Sequence, residues 1–84
     1  MSDTHFETLG EAIRSFIDQT EAKRAVFVNV DEISSRFDGG VSYGQTVSRS
    51  FELLEYKGKK TKKYAHCVIY RMESGRYELT SYVL

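Results

Sequence analysis

The residues best suited to chemistry lie in two adjacent segments in the second half of the chain. The first, at 41–58, reads VSYGQTVSRSFELLEYKG and includes the amide of Gln45 and the guanidinium of Arg49 among its polar side chains. The second, KGKKTKKY, holds five lysines: Lys57, Lys59, Lys60, Lys62 and Lys63. Such a run is typical either of a solvated loop or of a surface that binds nucleic acid.

The sequence has no pattern typical of an enzyme or a metal site. His66 and Cys67 are adjacent, so in a strand they would point to opposite faces and could not share one metal ion. Cys67 suits a small core residue, and His66 suits a surface or interface residue better than a ligand. We find no nucleophile–base pair, phosphate loop or paired-carboxylate motif. We therefore expect no enzyme activity, no cofactor and no metal.

Length and composition favour one small domain, residues 1–84. Of these 84 residues, 40% are hydrophobic and 13% aromatic, which is enough for one modest core. No apolar run approaches the roughly 20 residues needed to cross a bilayer, and the first residues lack the features of a signal peptide. Cys67 is the only cysteine, so no internal disulfide can form, which favours a reducing, cytoplasmic setting.

The net charge is zero but unevenly distributed. Residues 1–40 carry eight acidic and four basic side chains, whereas residues 41–84 carry four acidic and eight basic ones. Such asymmetry can indicate a face that binds nucleic acid. The acidic first half equally suits a surface that binds another protein, so both alternatives stay open.

The first half of the chain is predicted to form a helix, a strand and a second helix. Apolar residues three and four apart predict a helix from about Phe6 to Glu21, with Thr4 and Glu7 as a capping box at its start. The run AVFVNV predicts a strand. Asn29 and Glu32 then predict the start of a short helix, which DGG ends.

The segment 41–58 is predicted to be a helix and not a strand. Alternate residues give no clean apolar face. At helical spacing, four apolar residues form one stripe: Tyr43, Val47, Phe51 and Leu54. Ser42 and Gln45 form a third capping box, and Gly58 lies where a helix commonly ends. We therefore expect residues 43–56 to be helical.

The last part of the chain is predicted to be a β-hairpin. Residues 63–72 and 76–84 are rich in Tyr, Val, Ile and Thr, and ESG joins them. The predicted order is therefore helix, strand, helix, helix and hairpin.

That order resembles the winged helix-turn-helix superfamily of DNA-binding domains, of the small prokaryotic, archaeal or viral regulator type. VNVDEISSRF resembles the second helix of that superfamily, SYGQTVSRSFELLEYKG its recognition helix, and GRYELT the strand that returns from the wing. The resemblance covers residues 6–82. It implies an α+β fold with three helices, a short strand after the first helix, and a C-terminal hairpin as the wing.

The resemblance implies a transcriptional regulator that binds double-stranded DNA, with the recognition helix, about 42–56, in the major groove. Arg49 would then bond to guanine and Gln45 to adenine, while the lysines contact phosphates. Arg71 and Arg76 would contact DNA from the wing or pair with glutamates across the hairpin. The complete predicted set is Ser42, Tyr43, Gln45, Thr46, Ser48, Arg49, Lys57, Lys59, Lys60, Lys62, Lys63, Arg71 and Arg76.

The tyrosines predict a protein interface as well. Six tyrosines exceed what one small core can hold, so we expect a homodimer. The candidates for its interface are Tyr56, Tyr70, Tyr77 and Tyr82. Two other functions stay open: a winged-helix-like module that binds a polymerase subunit or host factor without DNA, and binding of single-stranded DNA or RNA through tyrosines beside lysines.

Overall fold

A computed structural model describes residues 4–54 and 60–83, and the side chains of 60–62 lie outside that description. Within those residues the elements are β1 (His5–Phe6), α1 (Leu9–Ala22), β2 (Val26–Phe27), α2 (Asp31–Ser35), β3 (Thr46–Leu54), β4 (Lys60–Arg71) and β5 (Tyr77–Val83). The strands form one antiparallel sheet in the order β1-β5-β4-β3-β2. Three long neighbouring strands therefore make the body of the sheet, and two short strands flank it.

The predicted winged helix-turn-helix fold is wrong, because its recognition helix does not exist. Most of the segment 43–56 is the strand β3, which pairs with β4 from Thr46 opposite Tyr70 to Glu52 opposite Tyr64. The described residues thus contain one long helix, one helix of five residues and a five-stranded sheet. A three-helix domain with a wing is replaced by a sheet with a helix across one face.

The side-chain pattern of β3 explains why the strand forms. Val47, Phe51 and Leu53 alternate onto the buried face. The pattern is interrupted at Arg49, whose guanidinium turns back and donates a hydrogen bond to the Ser48 carbonyl at 2.8 Å. This bond lets a charged side chain occupy an inward position of the strand without burial of an unpaired charge.

The predicted capping box of Ser42 and Gln45 is a turn that leads into this strand. The Ser42 N–H donates to Gln45 Oε1, and the Gln45 N–H donates to the Ser42 carbonyl, both at 2.9 Å. Gly44 lies between them with φ +74°, a left-handed conformation that a helix interior does not accept. The contacts that often begin a helix therefore close a turn here.

The first helix is shorter than predicted at its start. Phe6 belongs to β1, where it pairs with Tyr77 of β5. The N-cap of α1 is Thr8, not Thr4, and its hydroxyl accepts a hydrogen bond from the Glu11 N–H at 3.2 Å. The spacing of the sequence identified the helix, but a second Thr-x-x-Glu pair four residues later determines where it begins.

The remaining predicted elements are present. The strand predicted from AVFVNV is β2, and the short helix predicted after it is α2. The predicted hairpin is confirmed as β4 and β5, which pair from Arg71 opposite Tyr77 to Ala65 opposite Val83.

The core lies between α1 and one face of the sheet. Ala12, Ile13 and Phe16 of α1 are buried against the inward side chains of β2, β3, β4 and β5. The Phe16 ring lies 5.5 Å from that of Phe27 and 5.8 Å from that of Phe51, centre to centre. This arrangement leaves the second face of the sheet without a helix among the described residues.

Candidate functional site

We use the term open face for the side of the sheet that faces away from α1. Alternate residues of the three long strands form it: Thr46, Ser48, Ser50 and Glu52 of β3, Tyr64, His66, Val68 and Tyr70 of β4, and Glu78, Thr80 and Tyr82 of β5. The register arranges them in rows across the strands, so that Ser50, His66 and Tyr82 are direct neighbours.

The central strand β4 carries large side chains on both of its faces. Its inward residues Ala65, Cys67 and Ile69 are fully buried. Its outward residues include Tyr64, 40% exposed, and Tyr70, 36% exposed. A strand with one solvated face normally alternates apolar and polar residues, whereas this pattern is typical of a strand covered on both sides.

Apolar surface extends from β4 toward the edges of the open face. Tyr82 on β5 is 44% exposed. On β2, Phe27 is buried, so its neighbours Val26 and Val28 point to the open face, where they are 50% and 44% exposed. Exposed aromatic and apolar side chains on three strands of one face indicate a binding surface.

His66 lies near the middle of the open face and contacts a side chain on each neighbouring strand. Its Nδ1 is 2.7 Å from Ser50 Oγ, and its ring stacks on the Tyr82 ring with 4.6 Å between centres. Its Nε2 is buried and has no hydrogen-bond partner in the described part of the chain. Because an unsatisfied buried polar atom is costly, this nitrogen is a candidate for a hydrogen bond to a group outside those residues.

The charged residues of the open face lie at two opposite corners. Glu78 is in the row of Tyr70, and its Oε2 is 3.2 Å from His5 Nε2. Glu52 is in the row of Tyr64, on the other outer strand. The rows between them hold hydroxyl, imidazole, phenol and valine side chains, so the described residues place no carboxylate or ammonium group in the middle of the face.

A small groove borders the open face near β2 and α2. Its volume is about 190 Å³, and its lining residues are Val28, Asn29, Glu32, Arg36, Ser50, Phe51, Glu52 and Tyr64. Arg36 pairs with Glu32 at 3.6 Å and lies over the Phe51 ring. Metabolite sites usually enclose about 300–1,000 Å³, so we interpret this groove as the rim of a larger surface.

The structure does not bring the predicted DNA-binding residues together on one helix. Thr46 and Ser48 lie on the open face, whereas Arg49 occupies an inward position of β3. Ser42, Tyr43 and Gln45 belong to the turn before β3. The helix from which these side chains were predicted to read bases is therefore absent from the described residues, while DNA contact by the individual residues stays a prediction.

The predicted wing arginines hold parts of the fold together. Arg71 donates to the Val41 carbonyl at 3.2 Å, and its guanidinium carbon lies 4.1 Å from the Tyr43 ring centre and 5.0 Å from that of Tyr77. Arg76 pairs with Glu7 at 3.2 Å. Within the described residues, neither arginine pairs with the glutamates considered from the sequence, Glu73 and Glu78.

Most of the lysine side chains predicted to contact phosphates lie outside the part of the chain that the structure describes. Lys57 and Lys59 are not among the described residues, and the side chains of Lys60 and Lys62 are likewise outside. Lys63 is exposed near the start of β4. A phosphate-binding role for these lysines therefore stays a prediction.

Sequence reasoning identified only part of the open face. Tyr70 and Tyr82 were candidates for an interface, and both are exposed there; Tyr77 lies on the opposite face, half-buried. His66 was likewise placed at a surface or interface, whereas Val68 and Tyr64 were missed, and the candidate Tyr56 lies outside the described residues. The signal was the stretch YAHCVIY at 64–70, which has no charged residue and so suits a strand with two covered faces.

Comparison of the chain with family models, curated proteins and solved structures finds no match in any of the three. Neither helix of the described residues is long and apolar enough to cross a membrane. Among residues 4–54 and 60–83, no three His, Cys, Asp or Glu side chains come together as metal ligands. The interpretation of function therefore depends on the open face.

Proposed function

We propose that the protein is a non-catalytic interaction module that binds another polypeptide through the open face. The observation that carries the proposal is the two-sided apolar character of β4, with exposed Tyr64 and Tyr70 behind buried Ala65, Cys67 and Ile69. A polypeptide that covers β4 removes this apolar surface from water, at about 25 cal/mol per Å².

The composition of the open face suits a protein partner. Tyrosine is enriched at protein interfaces and charged residues are depleted from their centres. Val68 lies in a row between Ser48 and Thr80, so small hydroxyl groups flank the apolar centre and can form hydrogen bonds with a partner's backbone. The two carboxylates at the corners suit the polar rim of such an interface.

Single-stranded nucleic acid is the second candidate, favoured by one observation. The lysine run 57–63 directly precedes Tyr64, and Tyr64 is exposed on the open face. Bases that stack on aromatic side chains gain about 1–3 kcal/mol each, and nearby lysines neutralise phosphates. The segment expected to enter the major groove of duplex DNA as a helix is the strand β3. A nucleic-acid function would therefore depend on the sheet.

Site-directed photo-cross-linking in cells of the source organism tests the main proposal. A benzophenone amino acid replaces Tyr70 on the open face, and in a matched control it replaces Arg14, which is exposed on α1. We expect a polypeptide adduct from position 70 only, and its loss when Val68→Asp is added. Equal adducts from both positions, or none from position 70 in a folded chain, contradict the proposal.

Fluorescence anisotropy distinguishes the second candidate. Labelled single-stranded DNA, single-stranded RNA and duplex DNA of equal length are titrated at about 50 and 200 mM salt. If the second candidate is correct, single strands bind more tightly than duplex, more weakly at the higher salt, and more weakly still after Tyr64→Ser. If position 70 cross-links to nucleic acid and to no polypeptide, and single strands also bind as described, binding of single-stranded nucleic acid replaces the main proposal.

A further inference from the structure

We infer that the polypeptide that covers the open face is a second copy of this chain. The two copies form a symmetric dimer whose two-fold axis lies between the two sheets, parallel to β4. This inference rests on the proposed function, because it names the partner for the same face. In such a dimer two sheets pack face to face at about 10 Å, and each copy supplies the layer that the other lacks.

The sizes of the side chains on either side of β4 favour that axis. β3 contributes only short hydroxyl side chains to three successive rows: Thr46, Ser48 and Ser50. β5 contributes Glu78, Thr80 and Tyr82 to the same rows. A two-fold axis along β4 places β3 of one copy over β5 of the other, so Tyr82 meets the short Ser50 of the second copy. A large side chain thus opposes a small one in each half.

The charges on the open face are compatible with the same axis. Glu52 lies on β3 in the row of Tyr64, and Glu78 lies on β5 in the row of Tyr70. Rotation about β4 preserves the rows, so neither carboxylate faces its own counterpart or the other one. Glu78 instead faces the hydroxyl of Thr46 in the second copy, which can donate a hydrogen bond to it. Contacts between the described carboxylates, which would suppress association, are thereby avoided.

The dimensions of the open face predict a weak dimer. The three long strands and the flanking strands give a face of roughly 25 by 20 Å, or about 500 Å² per copy. An interface of roughly 1,000 Å² in total is at the lower end of specific protein interfaces. Small interfaces of this kind are typical of weak, transient complexes, so we expect dissociation in the micromolar range, on the order of 10 µM.

Sedimentation equilibrium between about 1 and 500 µM tests this inference. We expect the wild type to change from monomer to dimer over this range. Val68→Asp places a charge beside the axis and should raise the dissociation constant at least tenfold. Val30→Asp is the matched control, because Val30 is exposed between β2 and α2 and lies outside the three long strands. It should leave the dissociation constant within about twofold of wild type.

A size exchange tests the direction of the axis. Ser50→Tyr and Tyr82→Ser should each weaken dimerisation about tenfold, because each leaves two large or two small side chains opposed. The double variant restores a large side chain opposite a small one, so it should recover most of the affinity. The far-ultraviolet circular dichroism of every variant is compared with wild type, and Tyr82→Ser replaces Val68→Asp if the latter does not fold.

The outcomes separate this inference from the proposed function. A wild-type chain that stays monomeric at about 500 µM overturns the dimer, while a cross-link from position 70 to a different polypeptide still supports the interaction module. A dissociation constant that stays within about twofold of wild type in folded Val68→Asp and Tyr82→Ser variants also overturns the inference, because the dimer must then use another surface. Failure of the double variant to recover affinity overturns the axis along β4.

Discussion

Arg49 blocks an exposed edge of the sheet. Within residues 4–54 and 60–83, β2 pairs with Leu53 and Leu54 of β3, and the Val28 N–H donates to the Glu52 carbonyl at 3.2 Å. Because strand backbone groups alternate in direction, the Ser48 carbonyl points to the same edge, beyond the end of β2. The Arg49 guanidinium donates a hydrogen bond to that carbonyl at 2.8 Å. Charged side chains on edge strands are a common protection against pairing with another chain.

Arg49→Val should therefore increase aggregation. Valine completes the apolar alternation of β3 and leaves the Ser48 carbonyl free, so the edge becomes a template for strand addition. We expect faster growth of light scattering on incubation near the thermal midpoint. Arg14→Val, which removes an arginine from the exposed surface of α1, is the control. Equal aggregation rates for the two variants would refute this role of Arg49.

Cys67 should be an inert thiol in the folded protein. Burial raises the pKa of Cys67 from 9.0 to about 12, so the reactive thiolate is absent at about pH 8. We expect a thiol-specific disulfide reagent to modify the protein at that pH only after addition of denaturant. Rapid modification of the native protein would contradict the burial of this side chain.

The same pKa shift predicts a loss of stability at alkaline pH. Above pH 9.0 the thiol of the unfolded chain ionises, whereas the folded thiol stays protonated until about pH 12. The unfolded state therefore binds fewer protons, and the free energy of unfolding falls as pH rises between these values. Urea titrations at about pH 8 and 10.5 should show a larger decrease for the wild type than for Cys67→Ala, which lacks the thiol.

At the scale of elements, the turn before β3 depends on one glycine. Gly44 has φ +74°, and a methyl group added to its α-carbon would meet no neighbouring atom within 4 Å. Gly44→Ala should therefore destabilise the protein by roughly 1–2 kcal/mol through backbone strain alone. Gly10→Ala is the matched control, since Gly10 lies in α1 with equally open surroundings and should gain about 0.5–1 kcal/mol. Urea unfolding measures both, and equal effects would contradict the argument.

The elements differ in how far local sequence determines them. α1 and the β4–β5 hairpin were predictable, because their apolar residues fit one periodicity and their partners are adjacent in sequence. In β3, Val47 and Phe51 are four apart and satisfy both a helical stripe and an alternating strand. Pairing with β4 decides between helix and strand. The apolar pattern within β3 contains no information about that pairing.

The open face was only partly predictable for the same reason. The surplus of tyrosine indicated an interface, but the face that Tyr70 and Tyr82 occupy depends on the register between strands. Val68 and His66 join this face only once β4 is central in the sheet. Burial on one side and exposure on the other is a property of the assembled sheet.

At the scale of the whole molecule, only one of the two faces of the sheet is covered by a long helix within the described residues. One face of the sheet has α1 across it, and the other holds an exposed apolar surface. If a second copy covers that surface, binding adds to the free energy of unfolding by mass action. The thermal midpoint should then rise by several degrees between about 1 and 300 µM protein. The rise should be much smaller in Val68→Asp, and a constant midpoint in the wild type would count against the dimer.

The pairing of β1 with β5 has a consequence for the order of folding. His5 pairs with Glu78, and the Leu79 N–H donates to the Thr4 carbonyl at 2.8 Å, so this contact closes a loop of most of the chain. Its entropy cost is large and only a few hydrogen bonds oppose it. We expect β1 to dock last and open first, so the Leu79 amide should exchange its hydrogen with solvent much faster than the Ile69 amide of the central strand.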